Sequence, residues 1–345
     1  MITIDPVEFD NFTMSLVSDN ENDFQSVVAI SNSSNGAIPL IEIKFQKFNS
    51  INQQIDATKK YAYSNDVKYR YAGIKYKAGS ITVNIDDDTN MITMSSALCN
   101  YLNNQFKDQI HVYTLYNNED FYYHLLNSCD QMIEVDHQQY AKSQAKGAFY
   151  SARAIQQYMY SNKSYQHKHV VVQGLGSVGS ETAKLFDKNN ANLTVCDQNK
   201  ENINQLYADA YFGTCTMDQS YSIMCDVLVL CGDTDSLDKN STLNMNCLAV
   251  LGVEDGQLAS NKAGYNMHTQ KIPYVPDYVA GVGGLLMIIK QLENQNKSLE
   301  KDLDKIFTRT LSLLNHSNKL RKPPFIVAEQ QLQEKQKKQS EQISQ

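Results

Sequence analysis

The sequence has no tryptophan, only six prolines, and no apolar run long enough to span a bilayer as a helix. Its seven cysteines include no Cys-x-x-Cys pair, and its seven histidines form no ligand-spaced cluster, so no metal site is expected. Positive charge is also short. Against 38 Asp and Glu there are 31 Lys and Arg, a formal net charge of −7. That balance argues against a nucleic-acid partner. The scattered thiols read as reduced core side chains, which points to an intracellular protein. The first residues, Met1-Ile2-Thr3-Ile4-Asp5-Pro6-Val7-Glu8, offer neither a signal-type apolar stretch nor a basic amphipathic one, so the cytoplasm is the expected compartment.

What is present is a chain of 345 residues, 42% of them hydrophobic, enough for about two domains and a sizeable core. Its most informative stretch is Val170-Val171-Val172-Gln173-Gly174-Leu175-Gly176-Ser177-Val178-Gly179-Ser180. A β-branched run leads into Gly-x-Gly-x-x-Gly, and Glu181 to Phe186 then reads as a helix. The first glycine permits the turn, the second lets backbone approach a pyrophosphate, and the third lets helix and strand pack closely. The helix start offers unpaired N–H groups to phosphates. A second strand, Leu193 to Cys196, ends at Asp197, about 20 residues on, where such units hold ribose hydroxyls. An acid there favours NAD over NADP. The bland alternative is that the glycines serve chain reversal alone.

Along the chain, Phe24–Ile30 and Ile41–Phe45 read as strands, with Ser31 to Gly36 a turn cluster between them. A helix is expected near Ile51–Ala62 and a strand at Ile81–Ile85. The following Asp86-Asp87-Asp88 reads as a solvated turn rather than a cation site. Met94–Phe106 reads as helix, Ile110–Tyr116 as strand and Asn118–Leu126 as helix. In Tyr140–Tyr160, Ala141, Ala145, Ala148, Ala152 and Ile155 recur at helical spacing, as in a long helix joining two domains. Strands are then expected at His169–Gln173, Leu193–Cys196, Asp226–Cys231, Leu248–Gly252 and Ile272–Tyr274, alternating with helices, which implies a parallel sheet. Helices follow around Gly283–Gln291 and Leu299–Leu314. The Gln/Lys-rich stretch Val327–Gln345 reads as a frayed helix or tail. The expected fold is α/β: an N-terminal α/β domain with a mixed sheet (1–139), a doubly wound Rossmann-type dinucleotide-binding domain (140–295), and C-terminal helices with a tail (296–345).

Several stretches together resemble the leucine, phenylalanine, valine and glutamate dehydrogenases, most closely the leucine dehydrogenase type. They are Ala145 to Ala152, Gly174 to Gly179 with Asp197, Cys225-Asp226-Val227-Leu228-Val229-Leu230-Cys231, Ala249-Val250-Leu251-Gly252, and Tyr274-Val275-Pro276-Asp277-Tyr278-Val279 with Gly283-Gly284. The resemblance implies oxidative deamination of an α-amino acid, with NAD taking the hydride. It implies Gly174, Gly176, Ser177, Val178, Gly179, Asp197 and Cys231 as the cofactor site. It also brings in the mitochondrion as a second expected compartment.

The same resemblance exposes gaps. The family grips the substrate carboxylate with one lysine, activates water with a second and shuttles protons with an aspartate. Lys68 matches the first. The second falls at Ser80, within Lys77-Ala78-Gly79-Ser80; Lys75 and Lys77 lie elsewhere and would point differently. The family's Gly-Gly-Thr-Arg segment is replaced by Leu40-Ile41-Glu42-Ile43. The aspartate position holds Leu115-Tyr116, with Glu119 and Asp120 the nearest acids. A hydroxyl residue of the linking helix falls at Gln144, and two asparagines fall at Asp255 or Gly256 and at Gly281. Loss of a catalytic lysine alone removes about a hundred- to ten-thousand-fold in rate. No catalytic set is intact, with Lys68 a relic whose bland reading is a solvated or salt-bridged surface lysine.

The resulting expectation is a degenerate amino-acid-dehydrogenase-like protein, kept as a structural or interaction subunit with protein partners in a hetero-assembly or homo-oligomer. NAD binding is either retained or lost. A live NAD-dependent oxidoreductase using Asp277, Lys68, Tyr278, Glu119 or Asp120 is the alternative, and a nucleotide-sensing module a third.

Overall fold

The computed structural model describes residues 2–22, 24–32, 38–86, 89–116, 118–232, 235–293 and 298–343. It divides the chain into two units, Met1–Asp136 and His137–Gln345.

In the first unit the strands are β1 (Thr3–Pro6), β2 (Phe12–Asp19), β3 (Phe24–Ser31), β4 (Leu40–Gln46), β5 (Gly79–Asn84) and β6 (His111–Thr114), and the helices α1 (Ile51–Ala72), α2 (Met91–Phe106) and α3 (Glu119–Ser128). They form one mixed sheet in the order β1-β2-β3-β5-β4-β6. Strands β1, β2, β3 and β5 pair antiparallel, and β4 runs parallel to β5 and β6. Alternation decides the two faces. Ile41, Ile43, Phe45, Ile81 and Val83 point to α2 and α3 and meet Met94, Leu98, Leu102, Phe121 and Leu125. Thr82 faces the other way, where its Oγ1 lies 2.6 Å from Thr58 Oγ1 on α1. Helix α1 starts at Ser50, whose side chain accepts from Gln53 N, and stops at Gly73 in the left-handed region (φ 71).

The second unit holds β7 (His169–Gln173), β8 (Asn192–Cys196), β9 (Gly213–Thr214), β10 (Val227–Leu230), β11 (Val250–Gly252) and β12 (Tyr274–Val275). Every pairing is parallel, in the order β12-β11-β10-β7-β8-β9. Read from the other edge, that is third, second, first, fourth, fifth, sixth, the doubly wound dinucleotide-binding order. The helices are α4 (His137–Tyr160), α5 (Ser177–Lys188), α6 (Lys200–Leu206), α7 (Met217–Ser222), α8 (Asn261–Thr269), α9 (Asp277–Ala280), α10 (Gly283–Leu292), α11 (Glu300–Leu320) and α12 (Pro324–Ile343).

Three features depart from the sequence reading. Strands β1 and β2 have no counterpart in the sequence reading; β2 sends Met14 into one core cluster and Val17 into another. The helices after residue 296 belong to the second unit rather than standing apart from it. Ser151 on α4 is hydrogen-bonded to Thr310 on α11 at 2.9 Å, and Gly147 lets Ile306 approach. The Gln/Lys-rich end is a continuous helix to Ile343, anchored through buried Phe325, Val327, Ala328 and Leu332.

Candidate functional site

The glycine turn after β7 is built by three glycines with different duties. Gly174 has φ +87, and a Cβ there would stand 2.6 Å from Gly232 N. Gly179, in the first turn of α5, would put a Cβ 1.9 Å from Gly174 O. These two are required by the turn and by the closeness of helix and strand. Gly176 differs. It is the N-cap of α5 with φ −62 and ψ −169, an ordinary extended conformation. A Cβ there would meet nothing within 4 Å. Among the described residues, nothing in the packing asks for glycine at 176.

Gly176 and Ser177 are exposed, while Val178 and Leu175 are buried. The first N–H groups of α5 have no acceptor within the helix, and they open toward the space beyond Gly176. Asp197, half-buried at the end of β8, accepts from Leu175 N through Oδ2 at 2.5 Å and from Asn199 N through Oδ1 at 2.7 Å. It therefore holds the turn in place, and a carboxylate with two such bonds keeps lone pairs for a hydroxyl donor. Cys231 lies behind the turn at the end of β10, 7% exposed. Burial pushes its thiol well above the usual range, so it stays protonated and packs as a wall. The adenosine-diphosphate half of NAD fits what this turn provides: open space at Gly176, unpaired amides and an acid on the neighbouring strand.

At the other end of the same crevice the geometry is closed. Gln144 on α4 donates from Nε2 to Val253 O at 3.2 Å and accepts at Oε1 from Gly284 N at 2.9 Å. Gln257 donates to Leu230 O at 2.7 Å and accepts from Val253 N at 3.2 Å. Gly256 N donates to Asp277 Oδ2 at 3.2 Å. A Cβ at Gly281 would lie 2.2 Å from Val253 O. Tyr278 is engaged by its own chain, its hydroxyl donating to Phe325 O at 3.2 Å. Gln257 carried no signal in the sequence, because its role follows from where two strands end rather than from any local pattern.

In the first unit, Ser80 is the second residue of β5, completely buried. Its register partners are Ala29 on β3 and Glu42 on β4, and Glu42 is in turn opposite Tyr113 on β6. One row across the sheet is thus Ala29, Ser80, Glu42, Tyr113, all on the face toward α1. The Ser80 hydroxyl has no hydrogen-bond partner. Glu42 is 7% exposed and pairs with Lys44 at 3.0 Å. Lys44 also lies 5.0 Å from the ring of Tyr61 on α1. Lys68, on α1, is 6% exposed, so the surface-lysine reading of it fails. Lys75 is exposed and Lys77 half-buried, both before the strand begins. Glu119 and Asp120 sit exposed in the first turn of α3, where carboxylates complement the helix dipole. Tyr113 was not singled out from sequence, although the alternation of Ile110–Thr114 put it on this face. Of the acid run, Asp86 closes a turn with Thr89 at 2.7 Å, and Asp87 and Asp88 lie outside the described residues. Among the described residues no group of three or more His, Cys, Asp or Glu is placed to hold a metal, and no helix is long and apolar enough to cross a membrane.

No family model matches the chain. It is 25% identical over 192 residues to a leucine dehydrogenase of Thermoactinomyces intermedius, covering 55% of this chain and 52% of that protein. It is 30% identical over 159 residues to a phenylalanine dehydrogenase of Caldalkalibacillus thermarum (strain TA2.A1), covering 45% and 43%. The chain thus spans about half the length of the curated relatives it matches. In structure it is similar to the L-tryptophan dehydrogenase from Nostoc punctiforme, with a TM-score of 0.76 over 96% of this chain and 97% of that one, at 15% identity. It is likewise similar to the hetero-hexameric glutamate dehydrogenase from Thermus thermophilus, with a TM-score of 0.71 over 97% and 87%, at 15% identity. At such identities the structural likeness concerns the fold.

Proposed function

We propose that this chain, a relative of the amino-acid dehydrogenases, no longer deaminates amino acids and serves as a structural or interaction subunit that keeps a nucleotide-binding turn. Ser80 carries the reading. It stands where the family resemblance puts the catalytic lysine, and its hydroxyl can neither carry a cation nor take a proton from water near neutral pH. It is locked in the sheet beside Glu42. Glu42, next in that row, is itself taken up by Lys44 at 3.0 Å and offers no base in place of the lysine. Bound NAD supplies a hydride acceptor. What this chain's own residues do there is hold the turn, through Asp197 on Leu175 N, and close α5 onto β7, through Gly179.

One observation favours the second reading, an active NAD-dependent oxidoreductase with an altered substrate. Lys68, at the position the resemblance gives to the lysine that grips the substrate carboxylate, is buried rather than solvated. One assay separates the two readings. The purified chain is given NAD+ and a panel of α-amino and α-hydroxy acids, and NADH absorbance is followed. The subunit reading expects none above a heat-inactivated control. NADH that rises with one substrate and disappears in Lys68→Met supports the second. Affinity purification of the chain from its own cells, with stoichiometric co-purifying proteins identified by mass spectrometry, tests the subunit role itself.

A further inference from the structure

The second sheet consists of two halves of three strands, β7-β8-β9 and β10-β11-β12, and the glycine turn stands at their border. In a sheet of this order a dinucleotide lies across the carboxyl ends of the strands, one nucleotide over each half. Here the two halves are unlike. The first is open. Gly176 faces empty space, Ser177 is exposed, and Asp197 retains acceptor capacity at the end of β8. The second is sealed by the chain itself. The amide nitrogen and oxygen of Gln144 and of Gln257 each bond a backbone group at the ends of β10 and β11 or the start of α10. Gln144 is 2% exposed, Gln257 0% and Val253 0%.

A nicotinamide carboxamide needs an acceptor for its NH2 and a donor for its oxygen. Val253 N, at the end of β11, is already shared between Leu230 O and Gln257 Oε1, and Val253 O, which accepts from Gln144, belongs to a residue with no exposed surface. Freeing them would strand the glutamine amides in the interior, where an unpaired polar group loses more than the ligand's bond returns. No side chain at 281 can help, because a Cβ there would collide with Val253 O. Glu254 and Asp255, which follow directly, add negative charge rather than a donor for the ring.

We infer that the site recognises the adenosine-diphosphate half of a dinucleotide alone. The Gly174–Gly179 turn and Asp197 hold that half, and Gln144 and Gln257 close the place where the nicotinamide half would go. The inference rests on the reading that the turn still binds a nucleotide. The ligand class is ADP and ADP-terminated compounds, bound without positioning any ring for hydride transfer.

Calorimetric titration of the full chain with ADP, NAD+ and nicotinamide mononucleotide tests this. ADP and NAD+ should bind with dissociation constants within about threefold of one another, and each should displace the other, while the mononucleotide should give no heat. NAD+ binding tenfold or more tighter than ADP, about 1.4 kcal/mol, overturns the inference but leaves the nucleotide-binding reading intact. Failure of both ADP and NAD+ to bind overturns the two together. Two variants locate the site. Gly176→Leu projects into open space and should fold, with the circular dichroism and melting curve of the parent, while losing ADP and NAD+ alike. Gln144→Ala should leave ADP affinity within about twofold of the parent. ADP binding that survives Gly176→Leu, or is lost in a folded Gln144→Ala, places the ligand elsewhere and refutes the assignment.

Discussion

Three alanine substitutions in one turn separate what the fold needs from what a ligand needs. At Gly179 the added methyl would sit 1.9 Å from Gly174 O, more than an ångström inside contact. Neither side can yield. Gly174 N is bonded to Cys196 O at 2.9 Å, and Gly232 leaves no room for a Cβ on its other side. Helix α5 must therefore lift from β7, and overpacking of this kind costs about 1–3 kcal/mol. The helical preference of Ala over Gly returns up to about 1 kcal/mol. The net loss is about 1–2 kcal/mol, which in a unit of this size lowers the melting temperature by about 2–8 °C. Gly174→Ala should lose at least as much, because φ +87 adds left-handed strain of about 1–2 kcal/mol to the collision. At Gly176 the methyl meets nothing. A stiffer unfolded chain contributes about 0.4–1 kcal/mol, and loss of a glycine N-cap takes back a similar amount. The expected change is within about 0.5 kcal/mol. Urea unfolding of the three variants reads these values, and ADP titration of Gly176→Ala should show at least about tenfold weaker binding. If Gly176→Ala is as unstable as Gly179→Ala, the glycine at 176 is structural and the ligand argument collapses. If Gly179→Ala is as stable as the parent, the packing argument is wrong.

Three further outcomes are expected. Ser80→Ala should stabilise the first unit by about 1 kcal/mol, since it removes a buried hydroxyl without a partner; a lower urea midpoint would show that the hydroxyl is bonded after all. Alkylation of the native protein by iodoacetamide should label Cys215 first of the seven cysteines. It is the one that is not fully buried, and a hydrogen bond from the Cys196 thiol lowers its pKa and favours its thiolate; peptide mapping that finds Cys99 or Cys247 labelled earlier would contradict the burial pattern. Asp302 is pushed up by burial, but Lys290 at 2.8 Å and Lys305 at 2.7 Å outweigh this and hold its pKa below the ordinary value. Its stabilisation is therefore full above about pH 4 and is lost as pH falls through the lowered folded pKa. The stability difference between the parent and Asp302→Asn, followed by urea unfolding against pH, should shrink toward zero below that range, and a difference that grows on acidification would refute the pairing.

The second sheet was legible because its strands carry their own signal. Val170 to Val172 and Val227 to Leu230 are continuous apolar runs, as strands buried on both faces must be, and a glycine turn punctuates the first. Strand β9 was invisible for the opposite reason. Two exposed residues, Gly213 and Thr214, make no pattern, and only the register of Thr194 and Val195 defines them. Strand β1 is exposed throughout, and β2 buries only Met14, Val17 and Asp19, so neither offers a period of two to read. The C-terminal helix was hidden by composition. Its Gln/Lys-rich stretch carries few apolar residues, and it is Phe325 to Leu332, packed inside, that commits the rest to helix.

The candidate site divides along the same physical line. A glycine that must reverse the chain announces itself through spacing, so Gly174, Gly176 and Gly179 could be named in advance. Which of them serves a ligand could not, because that depends on what a missing side chain would touch. The resemblance pointed at Ser80 and Gln144 only as mismatches. What each does instead needed coordinates: Ser80 shares a row with Glu42, and Gln144 caps Val253 across 109 positions of sequence. A side chain that replaces a catalytic group and then bonds its own backbone is no longer available to a substrate. At Gln144 the replacement has become part of the sheet's hydrogen-bond accounting, beside Gln257. Restoring the family's residue types at one such position would therefore strand its partners, so Gln144→Ser alone should destabilise the second unit before it recovers any use of nicotinamide.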